Sequence, residues 1–457
     1  MIGTSHLARI GPPLLAVWLA VAGSVACGAM SIRLDCGGDG VAGGWRADSA
    51  SAGGSRVQTA AVIAGCGKVP AAVFQSGRLG QKLSYSFPEL PDGVYRVRLL
   101  FAEVEMRRRG ERLFRLSFEK VVAVPVLDVV DRAAGRFKAL RLSFLVTVSD
   151  GNGLQMSATG LKGAALLNGL EITRISPAGM ALVPAGAFDM GDSGGEGEDD
   201  EQPVHRVATG AFFMDQTEVT QDQWNVVYGW ALTQGYMFSG AYAKRHGHPV
   251  QAVDWDDCVK WCNARSEMEG RTPAYYTDDA RTAVYRSGRV SLRAGWVRWD
   301  EGYRLPTEAE WEKAARGGSE RHRFPWSAIE TLQHARANYD SDGVGYDTSP
   351  TRLFHPSFDD GVPPMTAPAG SFAVNGYGLH DMAGNVAEWC WDWYGERYYD
   401  GSPAEDPTGP DAGAHRVFRG GGWNSAASSC RVAFRHGISP EGVDYGVGFR
   451  TVLPVPL

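Results

Sequence analysis

Between Ser31 and Ile175 the chain alternates apolar and polar side chains in short runs separated by glycine-rich turns: Val94 to Phe101, Leu113 to Phe118, Ala139 to Val148, Leu154 to Ala158 and Leu166 to Ile175. A period of two is the signature of strands. Tyr95-Arg96-Val97-Arg98-Leu99 and Phe114-Arg115-Leu116-Ser117-Phe118 put apolar groups on one face and Arg or Ser on the other. That is the pattern of sheets with one buried face, so residues 31–175 are expected to form an all-β antiparallel sandwich.

After Ile175-Ser176-Pro177-Ala178-Gly179 the pattern changes. Residues 176–181 read as a linker punctuated by Pro and Gly. Twelve of the 14 tryptophans lie beyond Met180, and long strand patterns give way to irregular, aromatic and glycine-rich chain. Three helices are expected: Thr220 to Tyr228, Trp255 to Glu267, and one begun by Thr307, whose hydroxyl forms a capping box with Glu310, running through Trp311 to Arg316. Residues 182–457 thus read as a separate domain of a few helices and much irregular chain. Such chain needs anchoring by metal ions or dense aromatic packing.

Composition agrees with two cores: 457 residues exceed one ordinary domain, and 44% are hydrophobic. A net charge of −7 excludes a general attraction for nucleic acid. Arg9, the apolar run Pro12 to Ala22 and the small residues Ser24-Val25-Ala26 have the layout of a secretory signal over residues 1–30, so a secreted or periplasmic protein is expected. Cys27 after that tripeptide is a candidate for lipid attachment. No later stretch reaches the ~18 apolar residues of a membrane span. In an oxidising compartment some of Cys36, Cys66, Cys258, Cys262, Cys390 and Cys430 could pair, Cys36 with Cys66 being the candidate pair in the first domain.

A series of short motifs runs through the second domain: Val183-Pro184-Ala185-Gly186, Gln202-Pro203-Val204-His205, Thr217-Glu218-Val219-Thr220, Val253-Asp254-Trp255, Tyr303-Arg304-Leu305-Pro306-Thr307-Glu308-Ala309-Glu310-Trp311-Glu312, Asn375-Gly376-Tyr377-Gly378-Leu379, Gly384-Asn385-Val386-Ala387-Glu388-Trp389, Arg419-Gly420-Gly421-Gly422-Trp423 and Gly448-Phe449-Arg450. In this order the domain resembles the formylglycine-generating (sulfatase-modifying factor) family. The resemblance implies a C-type-lectin-like α+β fold and two structural calcium sites. One would use Asn338, Tyr339, Asp360 and Val362; the other Asp381, Gly384 (carbonyl), Val386 (carbonyl) and Glu388. Carboxylate, carboxamide and carbonyl oxygens together suit a hard divalent ion.

The family's enzymes carry two cysteines five residues apart, which bind Cu(I) and turn a substrate cysteine into formylglycine. Here the first is replaced by Ser425, the catalytic Ser by Gly422 and the Tyr before the second cysteine by Ser429; Cys430 alone remains. A serine hydroxyl is hard and deprotonates far above neutral pH, so copper held by two thiolates is not expected. The expected role is therefore a calcium-stabilised binding or accessory protein; the alternative is an oxidoreductase of altered chemistry working through Cys430.

In the first domain Leu34-Asp35-Cys36-Gly37-Gly38, Trp45-Arg46-Ala47-Asp48, Phe101-Ala102-Glu103 and Leu167-Asn168-Gly169-Leu170-Glu171-Ile172 resemble the malectin-like carbohydrate-binding family. That implies sugar binding by a stacked aromatic ring and a polar partner, for which Trp45 and Asp48 are the candidates; purely structural use of the sandwich is the other reading. His246 and His248 flank a glycine and read as a solvated turn rather than a metal site. The run Glu196 to Glu201 reads as a solvated loop.

Overall fold

The structure is a computed structural model, which describes residues 31–456 except for 42, 149–150 and 327–328. The leader and Cys27 lie outside the described residues.

The alternating runs pair as expected. One five-stranded sheet has the order Ala139–Val148, Gly93–Ala102, Gly169–Arg174, Ser31–Asp35, Arg46–Ala47, antiparallel except for its last pair. The second, fully antiparallel, runs Ser51–Ala52, Lys82–Phe87, Leu154–Lys162, Leu113–Phe118, Val121–Leu127. Tyr95, Val97, Leu99 and Phe101 of one face Phe114, Leu116 and Phe118 of the other in a single apolar core. Arg96 and Arg98 point outward, and Arg98 reaches Glu171 at 2.6 Å.

The run Leu166 to Ile175 is two strands rather than one, Ala165–Leu167 and Gly169–Arg174. Asn168 breaks it because its buried amide serves other backbone: Oδ1 accepts from Ala102 N, and Nδ2 donates to the carbonyls of Phe74 and Ser76. A buried amide that satisfies several backbone groups fixes where the chain changes sheet.

The expected linker is shorter than residues 176–181 and is not loose. Ser176 Oγ accepts from Val94 N at 2.8 Å, and Met180 already begins the strand Met180–Val183. Val94 itself packs into the second domain's core, and Arg96 donates to the Pro456 carbonyl.

In the second domain the entering strand Met180–Val183 and the closing strand Val452–Pro454 flank Phe212–Asp215, so both ends of the domain meet in one sheet. A four-stranded sheet follows in the order Arg435–Ile438, Arg416–Arg419, Ala387–Trp393, Val447–Gly448. All three helices form. Gln221–Thr233 starts on the Thr220–Gln223 capping box and carries Gly229 within it, running a turn beyond the expected end. Trp255–Met268 starts on Asp254, and Glu308–Arg316 starts on the Thr307–Glu310 box and stops at left-handed Gly317.

Candidate functional site

After the strand Arg416–Arg419 the chain turns through Gly420 (φ 94°) and Gly421 (φ 68°). A side chain at 421 would meet the Cys430 sulfur at 2.9 Å, so the glycine is what lets this turn lie on the thiol. Cys430 closes a short 3₁₀ turn and is wholly buried among Phe324, Leu332, Ala337, Tyr339, Ala383 and Ala427. Burial pushes its thiol up to about 12, so at neutral pH it is a protonated, inert group. Ser425 lies nearer the surface. Its hydroxyl accepts from Gly422 N at 2.9 Å and its carbonyl from Asp340 N. Ser429 is half-buried.

Beside Ser425 runs an aromatic strip. Trp423 donates its indole N–H to the Tyr445 carbonyl at 2.9 Å, the Phe354 ring lies 5.3 Å from Trp423, and the Tyr242 and Tyr445 rings meet edge to face at 6.0 Å. Tyr445 is 59% exposed and Tyr242 46%, with Leu353 and Val443 also exposed. Trp423 itself is buried and Phe354 half-buried, so Tyr242 and Tyr445 are the rings this strip presents to water.

The two sets of expected cation ligands differ. At the first, the Lys244 ammonium lies 2.6 Å from Asp360 Oδ1 and 3.2 Å from the Val362 carbonyl, with Arg245 3.4 Å from the other carboxylate oxygen. The Tyr339 carbonyl pairs with His334 Nε2, and the Asn338 amide donates to the Met365 carbonyl while its Oδ1 is buried without a partner. A protein cation thus stands between two of the four expected ligands.

At the second, Glu388 is gripped on both oxygens by Arg450 and also accepts from Trp311 Nε1 at 2.8 Å. Asp381, left-handed at φ 56°, accepts from Gly370 and Phe372 N–H. Sequence reasoning missed Glu218, although its motif was in view: its Oε1 accepts from Asn385 Nδ2 at 2.9 Å and its Oε2 is buried with no partner. Burial first, then the Asp381 charge, holds Glu218 well above the usual carboxylate range; burial likewise raises Asp381. Arg450 bonds Glu388 directly and reaches the buried Glu218 and Asp381 only through its charge. Asn385 joins this cluster to the Ser425 turn, since its carbonyl accepts from Trp423 N. Among the described residues no three His, Cys, Asp or Glu side chains gather closely enough to hold a metal by themselves.

Other expected residues lie elsewhere. Trp45 is only 7% exposed and packs with Ile63, Val73, Phe74 and Leu100, so its ring is core rather than a stacking platform. Asp48 is buried against Arg78 (2.5 Å) and Gly37 N. Cys36 and Cys66 are free thiols: Cys36 lies in the sandwich core, whereas Cys66 packs with Trp45's cluster. The other four described cysteines are also free. His246 is exposed beside Asp222 while His248 is buried on Thr366, and burial pushes it down to about 4. The acidic run is not solvated throughout. Glu201 is fully buried in a two-pronged pair with Arg431 at 2.6 Å, and Asp200 accepts from the Tyr394 hydroxyl.

Comparison with protein families matches residues 170–455 to the "Sulfatase-modifying factor enzyme 1-like domain". The chain belongs to that family. Residues 30–168 match the malectin domain, so a malectin domain precedes a sulfatase-modifying-factor-type fold. Within the family, the chain is 35% identical over 295 residues to the formylglycine-generating enzyme of Streptomyces coelicolor, covering 60% of this chain and 89% of that protein. It is 30% identical over 277 residues to the chaperone protein LppX of Paenibacillus barcinonensis, covering 60% and 88%. Among solved structures, Treponema denticola variable protein 1 aligns at 30% identity and a TM-score of 0.46, over 60% of this chain and 94% of that one.

Proposed function

We propose that this protein is an exported binding or accessory protein in which the sulfatase-modifying-factor domain has given up the oxidase centre and uses the surface beside Ser425 to hold a glycan or protein ligand. The observation that carries this reading is the pairing of Ser425 with a sealed Cys430: one position has no thiol, and the other has a thiol that stays protonated at neutral pH. A site that holds Cu(I) between two thiolates needs a second sulfur that Ser425 does not provide, and the Cys430 sulfur is fully buried. The exposed pair Tyr242 and Tyr445 supports recognition, since amphipathic aromatic faces serve both sugars and protein partners.

Structural calcium belongs to this reading at the second cluster. Asp381 and Glu218, with the Gly384 and Val386 carbonyls of the same turn, offer the hard oxygens such an ion takes, and Glu218 Oε2 has no protein donor. The malectin domain supports a role on glycans, by a surface other than Trp45 and Asp48. The leader pattern supports secretion or the periplasm, with Cys27 as the lipid-attachment residue if the anchor is used.

The competing reading is an oxidoreductase acting on protein cysteine or another sulfur substrate, suggested by kinship to formylglycine-generating enzymes. Cu(I) titration of the mature, reduced protein, with oxygen uptake on a cysteine-containing sulfatase peptide, separates the two. No tight binding and no uptake is the expected result, the same with Cys430→Ala. Turnover lost in that variant would establish the oxidoreductase.

A further inference from the structure

Two of the four ligands expected at the first site, Asp360 and Val362, hold a cation of the chain's own, while Asn338 Oδ1 stays unpartnered. Lys244 is a long flexible side chain, yet it is 9% exposed, which is unusual for lysine without a fixed partner. Its ammonium donates to the Asp360 carboxylate at 2.6 Å and to the Val362 carbonyl at 3.2 Å, one on each side of Gly361. A divalent ion placed there would need those same two oxygens, and it would meet two positive charges, Lys244 and Arg245, both within 3.4 Å of Asp360. At such distances like charges repel by several kcal/mol even at an effective dielectric near 20. Burial first, and then the Arg245 and Lys244 charges of its own segment, push His248 down.

We propose that Lys244 is the resident cation of this loop pair, so that Asp360 and Val362 are fastened to the loop of residues 242–246 by an ammonium and take no calcium. The device couples two long loops without dependence on free calcium, and one of them carries Tyr242, an end of the aromatic strip. Binding at that strip then persists when calcium is withdrawn, because this side of the surface is held by the chain itself.

The test is a calcium count by isothermal titration and native mass spectrometry on the full mature chain, comparing wild type, Asp360→Asn and the double variant Lys244→Met, Arg245→Ser. Asp360→Asn is expected to leave the number of bound calcium ions unchanged, and the double variant to bind one more than wild type. Loss of one ion in Asp360→Asn would overturn the proposal, as would an unchanged count in the double variant. Each reading is a difference from wild type, so it stands apart from whether the Glu218 and Asp381 cluster itself binds calcium. Should the double variant fail to fold, the Asp360→Asn count decides alone.

Discussion

The two domains solve the same problem with different materials. In the sandwich the buried polar residues are few, chiefly Asp35, Ser76, Asn168 and the pair Arg112 and Glu103, and most of the backbone is satisfied by ladder hydrogen bonds. In the second domain long stretches have no ladder, and Arg416, Arg419 and Arg450 are among its largest fully buried side chains. Arg419 reaches Glu308 at 2.7 Å and Glu312 at 2.6 Å, Arg435 holds Glu308 from the other side, and Arg316 holds Glu312. Arg416 lies over Trp255 at 3.7 Å and Trp393 at 3.6 Å. Regular structure lets a core be plain, whereas irregular chain is positioned by directional bonds between distant segments, and those bonds cost much when one partner is removed.

The largest break in that contrast is Arg419→Met. It leaves Glu308 and Glu312 short of a partner, and a loss of about 3–5 kcal/mol is expected. Because twelve of 14 tryptophans lie in the second half, the tryptophan-fluorescence transition should move to lower temperature while the far-ultraviolet signal of the sandwich holds its midpoint. Equal movement of both would show that the domains unfold as one unit. Next comes Leu99→Ala in the sandwich, a cavity in a dry core, expected to cost about 3 kcal/mol. Here the β-sheet signal should shift and the tryptophan transition should hardly move.

How far the sequence reveals each domain follows from the same contrast. Alternation exposes strands because burial is periodic, so Tyr95 to Phe101 and Phe114 to Phe118 are readable in sheet, face and partner. The break at Asn168 is not, since its cause is a set of hydrogen bonds to residues far away in the chain. The helix begun by Thr307 is readable from its capping box, whereas the caps at Thr220 and Asp254 show only in the structure. The candidate site is only half readable. Ser425 and Cys430 stand in a recognisable string, but Lys244 lies about 116 residues from Asp360, and no local pattern says that a lysine will fold onto that carboxylate. Glu201 misleads for the same reason: an acidic run looks solvated until Arg431, distant in sequence, is brought against it. Trp45 misleads in reverse, because an aromatic beside an Asp has the look of a sugar platform whichever way its ring faces.

The smallest effect sharpens the comparison most, because it asks whether the second domain's buried charge always stabilises. Asp256, near the start of the helix Trp255–Met268, is buried and accepts from the Tyr285 hydroxyl at 2.8 Å. Burial lifts its pKa to about 6, against the pull of that hydrogen bond and of Lys260 and Arg416. A folded pKa above the ordinary 3.8 means that the folded state binds the proton more tightly. Its stabilising contribution is therefore complete below about pH 4 and is lost as pH rises through about 6. Asp256→Asn keeps an acceptor for Tyr285 and cannot ionise. The variant should match wild type near pH 3.8 and exceed it at pH 7.5 by about 2 kcal/mol, taking ~1.4 kcal/mol per pKa unit discounted for screening. Denaturant unfolding at the two pH values measures the difference. A variant less stable than wild type at pH 7.5 would mean that the Asp256 charge is needed by Arg416, and that even an arginine stacked between tryptophans depends on a distant carboxylate.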